Sequence, residues 1–109
     1  MNLKQLTDEM NRFVTAKGWY NDESPRSQTP RNLAISLVLE ASEVLEHFQW
    51  GENAADLDEL QDELADVALY LLQLSSISGI DLEQAILTKL RKNYHRTWDS
   101  EKPGLEESK

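Results

Sequence analysis

The sequence predicts an all-α fold of four helices, and three observations carry that expectation. Apolar residues recur at helical spacing along four segments rather than alternating. Each of the last three segments opens on a residue suited to capping a helix, and the first and third close at glycine. Only 4 Gly and 3 Pro occur in 109 residues, of which 39% are hydrophobic. That composition belongs to a globular helical chain rather than a disordered or β-rich one. The length suits a single domain, expected over residues 1–98, with residues 99–109 as a polar tail lacking structure.

The first helix is expected from about Asn2 to Lys17, with Leu3, Leu6, Met10, Phe13 and Val14 on its apolar stripe and Gly18 beyond its end. The polar stretch Trp19 to Thr29 reads as a loop carrying two aromatics. Thr29 and Pro30 then start a second helix sharply, because proline's missing N–H is no loss at the first helical position. This helix is expected to run to Trp50 and stop at Gly51. Asp56, with Glu59 three residues on, starts a third helix running to Ser78, before Gly79. Asp81 caps a fourth, whose stripe is Leu82, Ala85, Ile86, Leu90 and Tyr94. Short connections make the second and third helices antiparallel neighbours. The run Val67 to Leu74 is apolar on more than one side, so a homodimer or a dimer of dimers is expected.

Charge is distributed unevenly. The net charge is −9, from 11 Lys+Arg against 20 Asp+Glu. No Lys or Arg occurs between Arg31 and Lys89, whereas ten carboxylates lie between Glu40 and Asp66. Ordinary helix surfaces mix signs, because like charges one turn apart repel. The acidity argues against a nucleic-acid partner and against binding to an anionic membrane. No apolar run approaches the ~20 residues needed to span a bilayer, and no apolar leader opens the chain, so a cytoplasmic location is expected. Cysteine is absent, which excludes disulfides and thiolate zinc sites. There is no paired Ser/His/Asp set for nucleophilic catalysis and no glycine-rich phosphate loop.

On a helical wheel of ~100° per residue, Leu33, Leu37, Ala41, Val44, Leu45 and Phe48 share one arc of the second helix. Ser36, Glu40, Glu43 and His47 run along the edge of that arc. On the third helix Leu57, Leu60, Leu64, Val67, Ala68 and Leu71 form the apolar arc, edged by Glu59, Glu63, Asp66 and Tyr70. Glu40 with Glu43 and Glu63 with Asp66 are thus paired acids, three residues apart, facing each other across a helical hairpin. A single such pair is ordinary solvated surface. Two pairs without a basic residue between them call for divalent cations, and oxygen donors favour Mg2+ or Mn2+.

Lys89, Asn93 and Arg96 share a face of the fourth helix. Opposite a metal-loaded acid cluster, such a face suits a polyphosphate. Basic residues near a helix C-terminus also complement its dipole, which is the simpler account of Arg91 and Lys92. Trp19, Trp50 and Tyr70 lie at the ends or edges of the proposed site, where rings can stack on a nucleobase or simply pack. His47 lies on the acid strip without a second His at ligand spacing, and neither it nor His95 is assigned a role.

With these motifs in place the chain resembles the MazG-like all-α nucleoside triphosphate pyrophosphohydrolases, whose hallmark is an E-x-x-E helix followed by an E-x-x-D helix. Here those read Glu40-Ala41-Ser42-Glu43 and Glu63-Leu64-Ala65-Asp66. The likeness covers Trp19 to Asn93. Pro30-Arg31-Asn32-Leu33, Phe48-Gln49-Trp50, Asp62 to Leu71 and the Lys89/Asn93 pair look most like the dCTP pyrophosphatase branch. The resemblance implies a four-helix MazG-like bundle and Mg2+ ligands at Glu40, Glu43, Glu63 and Asp66. It further implies base-pocket aromatics at Trp19, Trp50 and Tyr70, and phosphate contacts at Lys89 and Asn93, with Arg31 grouped among the substrate-binding residues. The expected reaction is Mg2+-dependent hydrolysis of a deoxynucleoside triphosphate, a pyrimidine one such as dCTP, to the monophosphate and pyrophosphate. Glu43 or Glu46 would orient the water. Two departures stand out: Met10 occupies a position where vertebrate-type members have His, and Thr97-Trp98 replace a Tyr-Pro pair. Related enzymes acting on dUTP or phosphoribosyl-ATP offer a second reading, and a non-enzymatic acidic adaptor for a basic partner a third.

Overall fold

A computed structural model of the chain describes residues 1–21, 23–24 and 27–96. Four helices and no strand occur among the described residues: α1 (Leu3–Ala16), α2 (Pro30–Glu46), α3 (Leu57–Ile77) and α4 (Leu82–Tyr94). The expected polar tail 99–109, and Thr97-Trp98 before it, lie outside the described residues. No helix among the described residues is long and apolar enough to cross a membrane.

The helix starts follow from local chemistry. Asn2 and Gln5 bond reciprocally at 2.8 Å in each direction, forming a capping box at α1. Thr29 Oγ1 accepts from the Asn32 N–H at 3.1 Å, one residue before Pro30 opens α2. Asp56 Oδ1 accepts from the N–H groups of Asp58 and Glu59 at α3, and Asp81 Oδ1 accepts from Gln84 at α4. Each such cap contributes about 1 kcal/mol. After α1 and α3 the chain turns through Gly18 and Gly79, at φ of 74° and 73°, a backbone conformation costly for side-chain-bearing residues.

The second helix is shorter than the sequence suggests. It ends at Glu46, not Trp50. Beyond it the Phe48 and Gln49 N–H groups reach back three residues, to Leu45 and Glu46, and tighten the chain into turns. The Ala55 N–H then donates to the His47 carbonyl at 3.3 Å, closing the connection to α3.

Packing centres on α3. Its principal partner is the antiparallel α2, while α1 packs on α3 and α4, and α4 packs on α1 and α3. Met10, Val14 and Leu72 form a buried cluster, with Leu3, Trp19, Tyr20 and Leu82 packed around it. Met10, at the position of the departure noted above, is therefore a core residue. Leu33 is 2% exposed on α2. The expected apolar arcs are only partly covered, however. Leu45, Leu57 and Leu64 are exposed, as are Ile86 and Leu90 on α4, and the buried residues of α3 are Leu72, Gln73 and Ser75. The wheel located the apolar faces, but a single copy of the chain does not bury them.

Candidate functional site

The α2–α3 hairpin brings the two acidic pairs into one electrostatic neighbourhood. Glu40, half-buried on α2, has its carboxyl pKa raised above the ordinary value. Lost hydration is the largest cause, followed by the negative charges of Glu43 on its own helix and of Asp66 and Glu63 across the hairpin. The other three acids singled out by the spacing thus all act on Glu40. The ion pairs drawn among the described residues are Lys4–Asp8, Arg12–Glu9 and His47–Glu63, so none brings Lys or Arg to this group.

Glu63 has a partner that the sequence did not assign. His47 Nε2 lies 2.7 Å from Glu63 Oε1, and the His47 side chain is only 8% exposed. The signal was present in the acid strip of α2, on which His47 falls two turns beyond Glu40. No second histidine drew attention to it. Glu46, one residue earlier, is exposed.

Among the described residues, no three acidic or histidine side chains are gathered closely enough to hold a metal ion as they stand. The donor set nevertheless suits a hard divalent cation. It is built of carboxylate oxygens, the other three acids raise the pKa of Glu40, and no Lys or Arg is paired with it among the described residues.

The other expected site residues fall into separate groups. Trp19 packs with the α1–α3 cluster near Leu72 and meets Phe13 edge-on, with ring centroids 5.6 Å apart. Trp50, 90% exposed, lies in the α2–α3 connection, near the start of α3. The rise of 1.5 Å per residue puts Leu57 and Leu72 roughly 22 Å apart along α3. The two tryptophans therefore stand toward opposite ends of that helix. Tyr70 is half-buried on α3. Arg31 borders a shallow apolar depression with Ala34, Ile35, Val38 and Leu39 on α2. Lys89 and Asn93 lie on α4, which makes no contact with α2. Asn93 Oδ1 is buried without a hydrogen-bond partner among the described residues. Within one copy of the chain α4 packs on α3 and α1 but not on α2.

The MazG-like family model matches residues 35–108, a span holding both acidic pairs. The chain belongs to the MazG-like family. Its MazG-like fold is similar to the crystal structure of a pyrophosphatase from Archaeoglobus fulgidus, with a TM-score of 0.67 and 33% identity, covering 84% of this chain and 87% of that one. Over 76 residues it is 38% identical to human dCTP pyrophosphatase 1 and 41% identical to the mouse protein. Each alignment covers 62% of this chain and 45% of the relative, so the chain spans about half the length of the curated relatives it matches.

Proposed function

We propose that this MazG-like chain hydrolyses a deoxynucleoside triphosphate, preferentially a pyrimidine one such as dCTP, to the monophosphate and pyrophosphate. The observation that carries the reading is the group Glu40, Glu43, Glu63 and Asp66, in which the other three acids disfavour the ionised form of Glu40 and no Lys or Arg is paired with the group among the described residues. Its likeness to dCTP pyrophosphatases supports the same reaction and suggests the substrate class. Mg2+, or Mn2+ in its place, would supply neutralisation of phosphate charge and Lewis acidity when bound. The four carboxylates would hold it through oxygen donors. Glu43 and the exposed Glu46 are the two candidates for orienting the attacking water. The water oxygen joins one phosphorus, the bridging oxygen leaves with the other, and a proton is released.

Lys89 and Asn93 would bind the phosphates, and Trp19, Trp50 and Tyr70 the base, with Arg31 at the edge of the substrate site. The separation of the tryptophans and the absence of an α2–α4 contact support a pocket completed by a second copy. A homodimer or homotetramer also answers the exposure of Val38, Leu39, Leu45, Leu57 and Leu64.

The test is pyrophosphate release from dCTP, dUTP, the other deoxynucleoside triphosphates and phosphoribosyl-ATP, with and without Mg2+. The expected result is Mg2+-dependent release from dCTP, abolished by Glu63→Gln. Release from no nucleotide, or undiminished release by Glu63→Gln, would overturn the reading. Preference for phosphoribosyl-ATP would overturn the substrate assignment alone.

A further inference from the structure

The His47–Glu63 contact has more built into it than a surface ion pair. His47 closes α2, and its backbone is held on both sides: its N–H donates to the Val44 carbonyl at 3.2 Å, and its carbonyl accepts from Ala55 at 3.3 Å. The ring is therefore carried by a tied stretch of backbone rather than a free loop. Its side chain is 8% exposed, and it meets one oxygen of a glutamate that is itself 24% exposed. In the Nε2–H tautomer the 2.7 Å contact is a hydrogen bond in which His47 donates and Glu63 Oε1 accepts. The other oxygen, Oε2, accepts no hydrogen bond from the described residues.

We propose that His47 is a positioning residue for Glu63, fixing the rotamer of that carboxylate so that its free oxygen is presented to a divalent cation. The inference rests on the metal-binding part of the proposed function and adds to it a residue outside the four acids. Glu63 has three side-chain torsions, and ordering it on binding costs rotamer freedom that a pre-formed hydrogen bond has already removed. Glu63 faces the like-charged Glu40 across the hairpin, and a donor held on one of its oxygens keeps the carboxylate in place against such a neighbour. Hydrogen-bonded partners of ligating carboxylates typically contribute about 10- to 100-fold to metal affinity.

The experiment measures Mn2+ affinity in the full chain without nucleotide, by electron paramagnetic resonance of free Mn2+. Four variants are compared: His47→Leu, His47→Asn, His47→Gln and Glu63→Gln. Helix content is checked by circular dichroism. His47→Leu is expected to raise the Kd about 10- to 100-fold. His47→Gln, whose amide nitrogen reaches the region of Nε2, should recover most of the affinity. His47→Asn is too short and should not. The Gln and Asn variants are both polar amides, so their comparison stands even where the Leu variant fails to fold. Equal Kd values in those two, or a wild-type Kd in His47→Leu, overturn the positioning role. Wild-type protein that does not bind Mn2+ overturns the metal reading along with it, whereas binding lost in Glu63→Gln but kept in His47→Leu overturns the positioning role alone.

Discussion

The Asn11 side chain donates to Ser76 Oγ at 2.9 Å, joining α1 to the last turns of α3 across 65 residues of sequence. The same amide accepts from the Tyr20 hydroxyl at 2.6 Å, so one side chain ties two helices and the loop after α1. Asn11→Leu keeps the approximate shape but removes the partner of Ser76 Oγ and one of the two partners of the Tyr20 hydroxyl, which also meets Gln73. The expected cost is about 1–3 kcal/mol in urea denaturation. Ser76→Ala, which removes only one arm, should cost less. An unchanged denaturation midpoint in Asn11→Leu would contradict this role.

Tyr20 also gives a pH dependence. Burial raises its hydroxyl pKa above the ordinary value of about 10, and Gln73 partly offsets the shift. The folded chain therefore keeps this proton at pH values where the unfolded chain has begun to release it. The stabilisation is whole below about pH 10 and is lost as pH rises through the elevated value. Melting temperature measured above pH 9 should fall more steeply for the wild type than for Tyr20→Phe. Parallel curves would remove Tyr20 from the account.

Glu40 is a residue whose charge works against the fold. Its pKa is raised by lost hydration and by three neighbouring acids, so the ionised form is disfavoured in the folded protein. Glu40→Gln should raise the melting temperature in the presence of a chelator. The same variant should lose most of the stabilisation that millimolar Mg2+ gives the wild type, because a ligand stabilises only the state that binds it. A Glu40→Gln protein melting below the wild type without metal would show that the carboxylate has a structural partner instead.

The apolar depression beside Arg31 predicts the behaviour in solution. Val38 is 66% exposed and Leu39 58% exposed, and both line that depression on α2. Sedimentation should give a mass two or four times the 12.5 kDa of one chain. Val38→Glu with Leu39→Glu should shift the protein toward the monomer and lower pyrophosphate release with it. A wild type that sediments as a monomer would place the completion of the pocket within one chain.

What the sequence made legible was local. The caps Thr29, Asp56 and Asp81 bond within three residues of themselves, and the glycines at 18 and 79 accept a backbone angle other residues resist. Such features need no knowledge of the rest of the molecule. The acidic pairs were legible for a similar reason, since three-residue spacing on a helix fixes a shared side. Where α2 ends was not, because apolar Phe48 and Trp50 continue a helical spacing while the return bond from Ala55 to His47 closes the chain earlier. The covered parts of the arcs were also out of reach. Leu57, Leu64 and Leu71 have the pattern of core residues, and whether they are covered depends on surfaces a single sequence does not display. The His47–Glu63 contact depends on helix register and on two side-chain conformations, neither of which periodicity specifies.

The third helix divides its duties along its length: the half beginning at Leu57 carries Glu63 and Asp66 against α2, and the half around Leu72 anchors α1. Everything proposed to hold the cation, His47 included, is encoded between residues 40 and 66, and the family match begins after α1 has ended. Among the helices α1 meets α3 and α4 and not α2. Any influence of the first helix on the proposed cation site therefore has to travel along α3.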